Sequence, residues 1–394
     1  MTFQHLVVRP RLEALTGARG PAALMVFAQH AGESGFLPIV APASLAVSFF
    51  FVLSGFVLAY AYFDERFLGL QFIRARFARI WPATMLSILL VLVILPRHAY
   101  LPQQLDVLSS GLVFLTNGLL LQSLIPIPDF YFALNAVAWS ISVEWCFYLV
   151  FPALNRLLRR FAVKPLVVLA MIGAFLTLLA IQLGWSAFDA TALAQPTWHG
   201  IVYINPAVRL FEFGSGILAG QLWCKAKISL RREQLVALLR RSSLLWQVSI
   251  AEVLLLGCLF YLLFISYQWD PGIAVAFGDS FRLLLLQWWS AIVLVALTCL
   301  LAFRLGFFTR SILCHPSMLR LGELSFGIYL FHQPLLKWLT LRFANPQYNM
   351  TIFKTLPTWS YSIILLTLTL ILSAFSHDLL EPRARRWLVN KPRR

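Results

Sequence analysis

Val47-Ser48-Phe49-Phe50-Phe51-Val52-Leu53-Ser54-Gly55-Phe56 is the stretch whose reading decides the fold. It lies in an uncharged run, residues 42–62. As a helix, such a run is long enough to cross the roughly 30 Å hydrocarbon core of a bilayer. Similar runs recur along the chain at about 18–32, 80–96, 105–123, 137–155, 165–183, 207–224, 248–267, 283–303, 321–340 and 356–378. Of the 394 residues, 60% are hydrophobic and 12% charged. The polar gaps are too short for a separate soluble domain. The pattern predicts an all-α, polytopic integral membrane protein with a single transmembrane domain over 1–394.

The charges give the topology. The chain has 32 Lys and Arg against 16 Asp and Glu. That balance could suit nucleic acid, but the basic residues flank the apolar runs, so the expected partner is the lipid bilayer and no nucleic acid. One cluster is the N-terminal segment, with Arg9, Arg11 and Arg19. Others are Arg66/Arg74/Arg76/Arg79, Arg156/Arg159/Arg160/Lys164, Lys225/Lys227/Arg231/Arg232/Arg240/Arg241 and Arg304/Arg310/Arg320, followed by the tail from Arg383. Only Arg97, Arg209, Arg282, Lys337, Arg342 and Lys354 lie elsewhere. The positive-inside rule puts all the clusters in the cytoplasm. Eleven crossings would leave two of them on opposite faces, so one segment must fail to cross. Residues 105–123, with Ser109, Ser110, Thr116, Asn117 and Gln122, are the choice. The expectation is about ten spans with both termini cytoplasmic, 1–17 and 381–394 being tails. Cys146, Cys224, Cys258, Cys299 and Cys314 show no metal spacing and read as small hydrophobes; no metal is expected.

Ionisable residues inside the runs are candidates for chemistry, because charge is costly at that depth. Arg19 and His30 are eleven helical steps apart, on one face and about 16 Å apart along it. Arg19 then sits at the cytoplasmic rim and His30 deeper. Arg74, Arg76 and Arg79 stand before Trp81-Pro82, at the start of the third helix, and suit phosphate as well as topology. Trp139, Ser140, Ser142, Glu144 and Tyr148 mix a carboxylate with hydroxyls and aromatics. Glu144 either orients His30, lines a sugar site or pairs with Arg209 or a histidine. Arg209 and Glu212, at i and i+3, suit each other as an ion pair. Ser325, Tyr329 and His332 share one face, as a packing network or a second wall of a site. Ser54-Gly55 permits close helix packing or passage of a ligand.

In order along the chain these runs resemble membrane acyltransferase family 3, integral-membrane enzymes that O-acylate carbohydrates. Arg19 and His30 match its Arg-x10-His motif, Val47 to Phe56 its FFVLSGF element, and Arg76 and Arg79 its Arg-x-x-Arg element. Trp139 to Pro152, Arg209 to Gly216 and Leu321 to Pro334 match the later helices, so the likeness covers about 11–382. The resemblance implies ten transmembrane helices in the plasma membrane, the inner membrane of a bacterium. It implies a cytoplasmic acyl-CoA co-substrate, most often acetyl-CoA, and a carbohydrate acceptor at the other face. It is similar to stand-alone members without an extracytoplasmic hydrolase-like domain. The polysaccharide-synthesis machinery is a further expected partner.

On that reading His30 is the base or the nucleophile, and Arg19 and Glu144 complete the catalytic group. Arg74, Arg76, Arg79 and Ser54 take the donor; Trp139, Ser140, Tyr329 and His332 take the acceptor. The alternative is a transporter or flippase for lipid-linked or acidic solutes, which would move solute without consuming acyl-CoA. A non-catalytic assembly partner of a polysaccharide synthase would turn over no acyl-CoA.

Overall fold

A computed structural model describes residues 10–36, 43–64, 69–102, 105–185, 194–229, 242–268, 271–344 and 358–389. Arg9, Arg66, Arg231, Arg232, Arg240, Arg241, Lys354 and the tail beyond Val389, all used in the charge argument, lie outside these residues. The described residues form helices and no strand. The helices are α1 (Glu13–Glu33), α2 (Ala43–Ala61), α3 (Leu70–Ile94), α4 (Val107–Gly118), the single turn α5 (Pro128–Tyr131), α6 (Trp139–Phe161) and α7 (Lys164–Gln182). There follow α8 (Pro206–Ser229), α9 (Ser242–Gln268), α10 (Pro271–Phe303), α11 (Pro316–Ala344), α12 (Thr358–Phe375) and α13 (Glu381–Val389).

Among the described residues, six helical stretches are long and apolar enough to cross a membrane: Ala43–Ala61, Leu70–Ile94, Ala136–Phe161, Lys164–Gln182, Leu283–Phe303 and Trp359–Leu388. Helices α1, α8 and α11, of 21, 24 and 29 residues, are long enough but break their apolar character with ionisable residues. This is an all-α polytopic membrane protein. Helix α2 is central, with 72% of its apolar window buried; α7 is peripheral at 17%, showing Val167, Met171, Phe175 and Leu178 outward. Such a belt is what lipid requires of an outer helix.

Helix α4 explains the segment expected not to cross. Its 12 residues reach about 18 Å, well short of the hydrocarbon core. Asp106 caps its N-terminus by accepting from the Ser109 amide at 2.8 Å. The chain after it is covered by protein. Gln122 Nε2 donates to the Ala138 carbonyl at 3.2 Å, and the Ser123 and Ser142 hydroxyls meet at 2.7 Å. Backbone off the helical path is thus satisfied internally, as it must be at that depth.

Three boundaries differ from the sequence reading. Helix α1 starts at Glu13 rather than 18, so residues 13–17 are helix and not tail. Glu13 in that first turn meets Arg304 at 2.7 Å, and an acid there suits the helix dipole. Helix α3 starts at Leu70, so Arg74, Arg76 and Arg79 lie on the helix rather than before it. Burial of Phe72 and Ala78 carries the helix through the basic stretch. Residues 381–389 are no free tail but a helix packed on α3.

Two seams set the bundle. Helix α2 lies along α8, where Gly55 faces the Phe213 carbonyl, so the Ser54-Gly55 pair includes a packing contact. Helix α1 lies along α11. There a Cβ on Gly322 would strike the Thr16 carbonyl and crowd the Gly17 Cα, while one on Gly17 would strike the Leu313 carbonyl in the turn that leads into α11. Only glycine allows these backbones to touch.

Candidate active site

The α1–α11 seam brings His30 and His332 together, 302 residues apart in sequence. His30 Nδ1 and His332 Nε2 are 2.9 Å apart, with the rings stacked at 5.1 Å between centroids. His332 is buried and its Nδ1 lies 3.0 Å from the Ile328 carbonyl oxygen. A carbonyl only accepts, so Nδ1 of His332 carries the proton. In neutral His332, Nε2 is then an acceptor. His30 therefore donates through Nδ1, and its own Nε2 keeps a free lone pair. The Ile328 carbonyl thus leaves Nε2 of His332 as the acceptor that meets His30. His30 is only partly buried, so that lone pair sits on the accessible member of the pair.

The neighbouring hydroxyls are equally matched. Ser140 Oγ donates to Tyr329 OH at 2.7 Å, and Tyr329 OH donates to the Val137 carbonyl at 3.2 Å. Asn135 Nδ2 ties the Leu330 carbonyl and Ser87 Oγ, both at 2.9 Å, which locks α11 to α3 and to the start of α6. Trp139 packs against Tyr203 at 5.1 Å and edge-on to Phe51 at 6.5 Å. Ser325 leaves this group: it is buried, and its Oγ has no partner among the described residues.

Toward the other end of α1 the chemistry changes. Glu144 Oε1 accepts from Tyr148 OH and from Ser54 Oγ, the latter at 3.3 Å. Arg19 lies in the fields of Arg79, Glu144 and Glu381. Arg76 Nη2 reaches Tyr62 OH at 3.4 Å, with its guanidinium 5.8 Å from the Tyr62 ring and 5.9 Å from that of Phe72. The Nε atoms of Arg19 and Arg76 are buried without a hydrogen-bond partner. Arg74 points to the exposed side of α3.

The expected partnership of Glu144 with His30 is therefore corrected. Glu144 is held by Tyr148 and Ser54, and the group against His30 is His332. Tyr148 stands four residues after Glu144, so helical spacing alone offered that contact. No spacing rule reaches from His30 to His332.

Arg209 and Glu212 pair at 3.1 Å while fully buried, as their spacing suggested. The Arg209 guanidinium also lies 5.0 Å from the Phe51 ring and 4.9 Å from the Tyr203 ring. Aromatic faces on both sides compensate part of the desolvation of this cation. It backs the wall that carries Trp139.

The arrangement joins a cationic patch, in excess over the carboxylates Glu144 and Glu381, to an imidazole whose Nε2 is left as an acceptor. Such a pair can hold a polyanion at one end and take a proton, or attack a carbonyl, at the other. The comparisons with known proteins point to acyl transfer. A family model described as an acyltransferase domain matches residues 12–377. The acyltransferase MdmB of Streptomyces mycarofaciens is 36% identical over 224 residues, covering 53% of this chain and 56% of that protein. Protein 2 in the picA locus of Rhizobium radiobacter is 37% identical over 150 residues, covering 35% of this chain and 76% of that protein. The chain thus spans about half the length of the first of these relatives. No solved structure matches. The family match runs from the start of α1 past the end of α12 and contains Arg19, His30, Arg76, Arg79, Glu144, Tyr329 and His332, and the chain belongs to the acyltransferase 3 family.

Proposed function

We propose that this acyltransferase moves an acyl group, in the simplest case acetyl, from cytoplasmic acyl-CoA to a hydroxyl of an exported or cell-surface carbohydrate. The reading is carried by one observation: His30 and Arg19 share a face of α1, with the imidazole near one end and the arginine patch near the other. The arginines meet the phosphates of the donor, and the charge rule places them at the cytoplasmic face. Trp139 and Tyr203 offer the flat apolar faces that suit a sugar ring. The carbohydrate acceptor and the inner-membrane location rest on the family resemblance.

In the step proposed, the acceptor oxygen attacks the thioester carbonyl carbon while its proton passes to His30 Nε2. The C–S bond breaks, and the proton on His30 goes to the departing thiolate, giving CoA and the acyl ester. His332 accepts the hydrogen bond of His30 Nδ1–H throughout and shares the charge of the imidazolium. If His30 is instead acylated first, the same Nε2 is the nucleophile, and the acceptor attacks the acyl-imidazole in a second step.

The test is incubation of the purified, detergent-solubilised protein with acetyl-CoA, with release of free CoA and labelling of His30 as readouts. Turnover that disappears in His30→Ala supports the reading, and acetyl-His30 selects the two-step route. Solute flux in vesicles without CoA release would overturn it.

A further inference from the structure

Helix α13 lies beyond residues 12–377, so the family match assigns it nothing. It is nonetheless held in a defined place. At the turn before it, Asp378 receives both Nη atoms of Arg320, at 3.1 and 2.5 Å, and meets His377 Nδ1 at 2.8 Å. Arg320 and Arg11 both pair with Glu323, at 3.6 and 3.3 Å, which extends the network along the start of α11. From this anchor α13 crosses to α3, the helix of Arg76 and Arg79.

The arginines of α13 are not equivalent. Arg383 and Arg386 bond back to carbonyls of their own segment, Leu379 at 3.2 Å and Pro382 at 3.3 Å. Arg385 shares a helix face with Glu381, four residues earlier. Arg385 feels the like charges of Arg79 and Arg76, and Glu381 feels the charges of Arg79, His377, Arg385 and Arg19. The packing of α13 on α3 thus sets Arg385 within electrostatic reach of Arg76 and Arg79, and Arg79 is in turn within reach of Arg19 on α1. Among the described residues the carboxylates acting on Arg19 are Glu144 and Glu381, and Glu144 is already engaged by Tyr148 and Ser54. Guanidinium groups gathered in this excess repel one another until an anion joins them.

We propose that α13 forms the cytoplasmic wall of the donor site, Arg385 binding a phosphate of the CoA nucleotide and Glu381 occupying the arginines until that phosphate arrives. The proposal rests on the acyl-CoA reading above. The 3′-phosphate of CoA alone brings about −1.5 to −2 charges, enough to displace one carboxylate. Arg385 is exposed, as a ligand reaching out of the membrane toward a soluble nucleotide needs to be. The same chemistry suits an anionic lipid headgroup, so the test separates the two.

Binding of CoA and of dephospho-CoA is measured by calorimetry on lipid-free, detergent-solubilised protein. The variants are Arg385→Ala, Glu381→Gln, Arg79→Ala and, on the same helix, Arg383→Ala. Loss of a charge-assisted contact at a half-screened site predicts about a tenfold weaker Kd for CoA in Arg385→Ala. Glu381→Gln should bind about threefold tighter, because the competing carboxylate is gone. Arg383→Ala should match the parent. Opposite shifts from two residues on one helix cannot come from simple damage to the fold.

If Arg79→Ala weakens CoA but Arg385→Ala and Glu381→Gln do not, the donor reading stands and the role of α13 is overturned. If the parent protein binds neither nucleotide, both fall. If Arg385→Ala loses only retention on phosphatidylglycerol vesicles and keeps its CoA affinity, α13 is a lipid anchor and the proposal is wrong.

Discussion

Around His30 the polar groups that set its orientation are paired: His332 receives its Nδ1–H, Ile328 fixes His332, and Ser140, Tyr329 and Val137 close a second chain. Around Arg19 the reverse holds. Guanidinium nitrogens are buried without partners, and like charges face one another. The contrast separates two tasks. A group that must move a proton needs one orientation and one tautomer, and neutral hydrogen bonds supply both. A surface that must receive a polyanion gains from charge left unneutralised until the ligand comes. The histidine end is finished before substrate binds; the arginine end is completed by it.

Substitutions should therefore divide by kinetic constant. His30→Ala removes the base or nucleophile and should lower acyl transfer by about 10³-fold, with KM for acetyl-CoA little changed. Release of CoA measured against donor concentration checks both parts. His332→Ala leaves His30 in place but unoriented and should cost about 10- to 100-fold in kcat. His332→Gln keeps an acceptor oxygen and should recover part of that loss. Recovery in Gln and none in Ala is a pattern that mere packing damage would not give.

Arg79→Ala tests the other end and should raise KM for acetyl-CoA about tenfold with kcat nearly intact. A fall in kcat instead would dissolve the division of labour. The smallest effect is expected from Tyr148→Phe. It removes one hydrogen bond to Glu144, worth about 1 kcal/mol, and should raise KM about threefold to fivefold.

Much of this architecture is legible along the chain wherever the controlling contact is local. Charge parity singled out 105–123 as the stretch not expected to cross, and the helix found there, α4, has 12 residues. The Arg209–Glu212 pair and the common face of Arg19 and His30 followed from helical spacing. What escaped is set between helices. Depth and rotation decide whether Glu144 or His332 meets His30, and both fitted the same polar-face argument. The aromatic walls of Arg209 come from Phe51 and Tyr203, which no periodicity connects to it. Residues 381–389 read as a tail because a short amphipathic helix with few apolar residues shows its role only against the helix it packs on.

The glycine contacts of α1 with α11 have a mechanical meaning. Gly17 and Gly322 fix the point where the two helices cross, and His30 lies thirteen residues further along α1, about 20 Å away. The crossing point is a fulcrum and the helix above it a lever arm. One degree of rotation there moves the imidazole by about 0.3 Å, a large part of the range over which a 2.9 Å hydrogen bond keeps its strength. A single methyl group at the fulcrum, touching neither donor nor acceptor, would detune the proton transfer from about three and a half turns away.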